Sequence, residues 1–325
     1  MKQIIILLLS LTLILGSVAC LSGCDMGPIA TSDNNGTTIV VTSPAAHALV
    51  QALTAKYTED GGTGIVTVVP MYKIGQDAHG FEPTAKDTVE LSNADVVVCT
   101  GAETWLDAAL KSSGNTAVRM VAMMAACDTV EAEHDHDACE DSHAHDQGGS
   151  GILNQDEHVW LSVENAICIT KSISTALRLV DEENAAIWQQ HEEAVCNELT
   201  ILKNEYRDMM KNAVRDTVVV ADRHPFTYLF HELGLNCIAA FPGCSSETSA
   251  TFETQTMLIQ AVESNEIPYI FMIEGSDGSV AEVVSKSTGA EILTLNSLQI
   301  ISNYENISYV EIMRSNLENL KKALQ

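Results

Sequence analysis

The chain has 325 residues, of which 44 are acidic and 17 basic, giving a formal net charge of -27 at pH 7. This balance excludes nucleic acid as a partner and opposes adsorption to anionic lipid, because phosphate recognition rests on clustered Lys and Arg. It is compatible with a cationic ligand, and equally with a solubilising acidic surface.

Lys2 precedes an apolar run from Ile4 to Leu15, short for a membrane span and followed by small residues, so residues 1–23 read as a secretory signal. The stretch "LSGC" ending at Cys24 has the form of a lipobox, in which cleavage before the cysteine leaves its thiol to carry diacylglycerol. Cys20, ending "SVAC", is the alternative position, and an uncleaved anchor is the other reading. Acyl chains on a polar protein tether it without a spanning helix, and residues 24–36 read as a flexible tether. The expected location is therefore extracytoplasmic, lipid-anchored to the cell membrane.

Beyond the signal about 300 residues remain, long enough for two lobes of ordinary size. The first β-rich runs are "TTIVVTS" from Thr37, "GIVTVVPM" from Gly64, "DVVVCTG" from Asp95 and "VRMVAMM" from Val118. A second set comprises "TVVVAD" from Thr217, "NCIAAF" from Asn236, "YIFMIEG" from Tyr269 and "EILTLN" from Glu291. Continuous Val/Ile runs separated by helix-length segments predict parallel strands covered on both faces. The predicted fold is α/β, two four-strand lobes over residues 37–181 and 216–325. Between them, over 182–215, Trp188, Val195, Leu199, Leu202, Tyr206, Met209 and Ala213 recur at steps of three, four and seven. That spacing predicts one long linking helix with a single apolar stripe.

Four of the ten histidines, His134, His136, His143 and His145, lie among carboxylates in residues 131–147. Imidazole and carboxylate both ligate metals. Yet a segment with almost no apolar residue cannot offset the entropy of becoming ordered. It reads as an accessory loop holding several ions weakly, or as a solvated acidic insertion, and the working site is expected elsewhere.

His79 sits in "GQDAHGFEP" beyond the strand at 64–71, His158 in "DEHVWLS", and His224 in "ADRHPFTYLF" just beyond a strand ending near Ala221. Loops leaving the carboxyl ends of parallel strands diverge and open a crevice for ligands. Histidines at such edges, one from each lobe, can face one cleft, and three in polar, turn-like settings predict a site. His47, in "TSPAAHALV", reads as a helix-surface residue, with the cleft as alternative; His231 falls on a short helix ended by Gly234. His191 lies by the helix stripe in a packing role, and "HEEAV" has Val195 where a zinc protease motif needs histidine. With no nucleophile elbow and no dinucleotide fingerprint, a metalloenzyme is the weaker alternative, and the chain is not expected to be an enzyme. The cysteines show no CxxC pair, hence no zinc-ribbon signature; Cys99 is expected to be buried, and Cys244 in "FPGCSSET" is a candidate soft ligand.

The stretch "GQDAHGFEPTAKDTVELSNADVVVCTGAETWLD" resembles the first metal-ligand region of the zinc and manganese solute-binding proteins of ABC importers, cluster A-I. "DEHVWLSVENA" resembles their Asp-Pro-His-x-Trp-Leu-Asp-Pro motif, and an acidic histidine-rich insertion just before it is typical of the zinc-uptake branch. The resemblance continues through "ADRHPFTYLFHELGL", "AAFPGCSSET", "IEGSDGS" and "LTLNSLQ", over essentially the whole mature chain. It implies a monomer of two α/β lobes bridged by a rigid helix, holding one ion between the lobes and delivering it to a permease that works with an ATPase. His79, His158 and His224 would be the ligands. Three neutral imidazoles suit Zn2+, with Mn2+ as alternative. A cell-surface adhesin or zinc buffer is the alternative function. Glu82, Asp156 and Glu157 are candidates to orient the imidazoles. Two departures stand out. Arg223 occupies the place of the relatives' third histidine, and His224 lies one residue later. Asn296 replaces a carboxylate that often closes the site, leaving the fourth position to its amide oxygen, to water or to Glu274.

Overall fold

The computed structural model describes residues 36–127, 129, 155–243, 250–305 and 307–325. The expected signal with Cys20, residues 24–35 of the expected tether with Cys24, the loop histidines His134, His136, His143 and His145, and Cys244 lie outside the described residues, while Gly36, expected to end the tether, already begins the first strand. Gly36–Gln325 is one compact unit.

Eight strands fall where the Val/Ile runs predict them. In the first sheet β1 (Gly36–Val41), β2 (Ile65–Pro70), β3 (Val96–Cys99) and β4 (Arg119–Ala122) lie in the order β2-β1-β3-β4. In the second, β5 (Thr217–His224), β6 (Asn236–Pro242), β7 (Tyr269–Ile273) and β8 (Glu291–Leu295) repeat that plan as β6-β5-β7-β8. Every pairing is parallel. In each sheet the chain steps one way from the first strand to the second and then crosses back, so a crevice opens at the carboxyl ends of β1/β3 and of β5/β7.

Parallel strands need crossover helices, and each helix begins or ends where its local chemistry allows. Ser43 caps α1 (Pro44–Thr54) by accepting from the Ala46 N–H, with Pro44 at the first position, where no N–H is needed. Thr84 and Asp87 form a reciprocal capping box on α2 (Ala85–Ser92), and Gly114, at φ 72°, ends α3 (Leu106–Ser113). Ser162 caps α4 (Val163–Val180). The linking helix, α5, spans Ala185–Lys211, shorter than the 182–215 expected. Glu182–Asn184 forms a separate 3-10 turn, pinned because Asp181 accepts from Asn184 Nδ2 (2.7 Å), Trp188 Nε1 (2.8 Å) and Tyr57 Oη (2.7 Å). In the second lobe α6 (Thr227–Leu233), α7 (Phe252–Ser264) and α8 (Ser279–Thr288) form the three crossovers, and α9 (Tyr309–Leu324) follows β8.

The strand period of two decides which core each residue enters. Ile39, Val41, Val96 and Val98 face a large shared core with α1, α4 and α5, while Val40 and Val97 face a smaller one under α2 and α3. In the second sheet Val218 and Val220 join the shared core and Val219 and Ala221 face α7 and α8. The predicted stripe on α5, from Trp188 to Met209, is buried in that shared core. One apolar mass therefore runs from lobe to lobe, giving the cleft a stiff back wall.

His47 corrects the surface expectation. It is buried because α1 is enclosed by α4, α5 and α9, and its Nδ1 lies 2.5 Å from Tyr72 Oη. His191 packs as expected, bonded to the Leu53 carbonyl at 2.7 Å and to Asp60 at 2.9 Å. Among the described residues no helix is long and apolar enough to cross a membrane.

Candidate metal centre

The first lobe presents the same three-residue device twice. His79 stands on a 3-10 turn (Ala78–Gly80) capped by Asp77, whose Oδ1 accepts from the His79 N–H at 3.1 Å and lies 2.5 Å from its Nδ1. At His158, Asp156 Oδ1 is 2.8 Å from the backbone nitrogen and 2.8 Å from Nδ1. An ionised carboxylate only accepts, so each Asp-x-His pair fixes the proton on Nδ1 and turns Nε2 outward. The two rings lie 5.9 Å apart between centroids. His79 is one-third exposed at the cleft mouth, and His158 is buried, edge-on to Trp160.

The outward nitrogens have polar neighbours. His79 Nε2 is 2.7 Å from Glu157 Oε1, so carboxylates flank both nitrogens of that ring. Burial would raise Asp77, Asp156 and Glu157, but the hydrogen bonds and charge of the histidines outweigh it and hold all three carboxyls below their usual range. The site is therefore anionic around two imidazoles, a setting that favours a cation.

From the second lobe His224 arrives differently than expected. The strand does not end near Ala221: a bulge between Val220 and Arg223 lets β5 stay paired to β6 as far as His224 and Pro242. His224 is therefore the strand's last residue. It is 3% exposed, stacked on Phe230 at 5.1 Å, and its Nδ1 has no hydrogen-bond partner among the described residues. Burial lowers its pKa to about 4, with the charge of Asp156 acting the other way. Arg223 reaches across the cleft, Nη1 to Asp77 Oδ2 at 3.1 Å, and grips the carboxylate that orients His79.

Glu274 directly follows β7, and burial raises its pKa against the bonds it accepts. Those bonds come from Ser297 N (2.7 Å), Ser297 Oγ (2.6 Å) and Gln299 N (3.2 Å). Asn296 Oδ1 accepts from Leu298 N at 2.8 Å and closes a turn that holds Leu298 at φ 59°. Both candidates for the fourth position thus brace the 296–299 turn, and that turn delivers a residue sequence reasoning missed: Gln299, whose Nε2 lies 2.7 Å from His158 Nε2. Its only sequence signal is a polar side chain just past a strand's carboxyl end. Asp77 was also missed, although its spacing to His79 repeats that of Asp156 to His158. Glu82 is exposed.

A cavity of about 230 Å³ borders His79, Glu157 and Gln299, walled by Thr42, Glu103 and Trp105. A larger groove, about 670 Å³, lies away from the site between α1, α5 and the start of α9. Among the described residues no three His, Cys, Asp or Glu side chains stand close enough to share one ion as placed. The structure brings His79 and His158 together and sets His224 within electrostatic reach of the latter.

Two parallel α/β lobes on one long helix, with oriented imidazoles at the strand ends facing a cleft, define a two-lobed solute-binding protein. Residues 39–323 match the family described as "Zinc-uptake complex component A periplasmic". The chain is 28% identical over 289 residues to a "Putative metal-binding protein" of Treponema pallidum, covering 88% of this chain and 86% of that one. It is 27% identical over 259 residues to the "High-affinity zinc uptake system protein ZnuA" of Bacillus subtilis, covering 76% and 77%. It is 26% identical over 258 residues to the "Zinc-binding lipoprotein AdcA" of Streptococcus pneumoniae, covering 77% of this chain but spanning only 50% of that relative. In fold it is similar to the lipoprotein YcdH of B. subtilis (TM-score 0.71, 23% identity, 89% of this chain and 100% of the other). It is similar also to the Zn(II)-bound ZnuA-like domain of S. pneumoniae AdcA (TM-score 0.69, 22% identity, 89% and 99%). The chain belongs to the zinc-uptake component A family, the metal-binding components of ABC importers, which are transport proteins and not enzymes.

Proposed function

We propose that this chain captures one zinc ion outside the cytoplasm and hands it to an ABC permease driven by its ATPase. The observation that supports this most is the paired Asp-x-His device, which aims two imidazole nitrogens from one lobe at a shared space. His79 and His158 are the first two ligands. His224 is the donor from the second lobe: its buried Nδ1 has no hydrogen-bond partner among the described residues, which a metal bond would remedy. Imidazole donors favour zinc over manganese, which prefers oxygen. Asp77 and Asp156 hold the rings, and Arg223 holds Asp77. Residues 1–23 are the signal, Cys24 carries the lipid and residues 131–147 collect ions weakly. The test is metal analysis of protein purified without added metal, followed by competition among zinc, manganese and iron. One tight zinc per chain, lost in His79→Ala and in His158→Ala, is the expected result; preference for manganese, or tight zinc retained in both variants, overturns the reading.

A further inference from the structure

We propose that Gln299 gates zinc capture by competing with the ion for His158 Nε2. The inference rests on His158 being a ligand. With Asp156 fixing the proton on Nδ1, His158 Nε2 has one lone pair, and the amide of Gln299 donates to it at 2.7 Å. One lone pair serves one partner, so the hydrogen bond and a metal bond at that nitrogen exclude each other. The amide nitrogen has no lone pair of its own to offer the ion and must leave. Glu157, on the other ring, differs: a carboxylate oxygen that gives up a hydrogen bond can turn to the metal itself.

The turn is built so that only the side chain need move. Glu274 accepts the Gln299 N–H at 3.2 Å and the Ser297 N–H at 2.7 Å, and Asn296 Oδ1 holds Leu298 N at 2.8 Å, so the backbone stays clamped while the amide swings. The side-chain oxygen of Gln299 lies 2.9 Å from Ser297 Oγ and shares that hydroxyl's one proton with Glu274, which helps keep the amide aimed at His158. Trp160 Nε1 donates to the Ser297 carbonyl at 2.9 Å, so the same turn is tied to the first lobe on its other side. Because Gln299 sits on His158 only when the ion is absent from that nitrogen, it opposes entry and leaves release untouched.

The test separates the two rates. Gln299→Met keeps length and removes the donor, and Gln299→Ala is the second variant should the thioether repack. Stopped-flow capture of zinc should be about threefold to tenfold faster in both, the worth of one net hydrogen bond, with release into excess chelator within about twofold of wild type. Without any variant, the side-chain amide resonance of Gln299 in chelator-stripped wild-type protein should shift when one equivalent of zinc is added. Faster release in the variants would make Gln299 a ligand through its oxygen and overturn the gate, as would an unchanged capture rate or an unmoved amide resonance. His158→Ala run alongside distinguishes the failures: if it keeps tight zinc, the reading of His158 as ligand falls; if it loses zinc while the Gln299 variants behave as wild type, only the gate falls.

Discussion

Replacing Asp156 by asparagine changes one atom of a buried carboxylate and keeps its shape. Asp156 Oδ1 accepts from both the backbone N–H and Nδ1 of His158 at 2.8 Å, and its backbone carbonyl takes the Tyr228 hydroxyl at 2.7 Å. The asparagine oxygen can still accept, so the turn should survive, but the bond to the ring loses its charge. A hydrogen bond to a charged group is worth about 1.5–3 kcal/mol against about 0.5–1.5 for a neutral one, leaving a loss of about 1–2 kcal/mol. That is about 5- to 30-fold in zinc affinity, overlapping the roughly 10- to 100-fold range for removing an outer partner of a metal-bound histidine. The assay is competition against a chromophoric chelator at pH 7.5, with thermal melts in chelator to confirm folding. Asp77→Asn should cost less, since His79 is one-third exposed and its pair is screened by solvent. A folded Asp156→Asn protein within twofold of wild-type affinity would refute the idea that the Asp-x-His pair prepares the ligand.

For the second lobe, His224→Ala should weaken zinc about as much as His79→Ala and abolish metal-induced thermal stabilisation, whereas Glu274→Gln should change affinity little; the reverse pattern would move the ligand to Glu274. Burial lowers His47 from 6.5 to about 4. The unfolded chain therefore binds that proton first, so its contribution is full above about pH 6.5 and is lost as pH falls toward 4, at about 1.4 kcal/mol per pH unit. His47→Gln should flatten that slope in chelator-treated protein, and equal slopes in the two proteins would contradict it. Deleting residues 131–147 should remove weak zinc equivalents and leave one tight equivalent; loss of the tight one would make the acidic run the working centre.

The strands were legible because a strand buried on both faces must be apolar throughout, and "VVVC" at Val96 or "TVVVAD" at Thr217 can hardly be anything else. The linking helix was legible from its single stripe. What could not be read depends on contacts that no local pattern encodes. His47 lies on a helix covered all round, where amphipathic contrast disappears. His224 belongs to β5 only because a bulge extends it. Arg223 meets Asp77 across 146 residues, and Gln299 meets His158 across 141. Asn296 and Glu274 have the donor atoms of ligands, yet a strained turn engages both.

Zinc coordination by the paired histidines is tested by a crystal grown with one equivalent of zinc and measured at the zinc edge. A single strong anomalous peak is expected in the cleft about 2.0–2.1 Å from Nε2 of His79 and of His158, with Gln299 turned away. A peak that touches neither imidazole would contradict it.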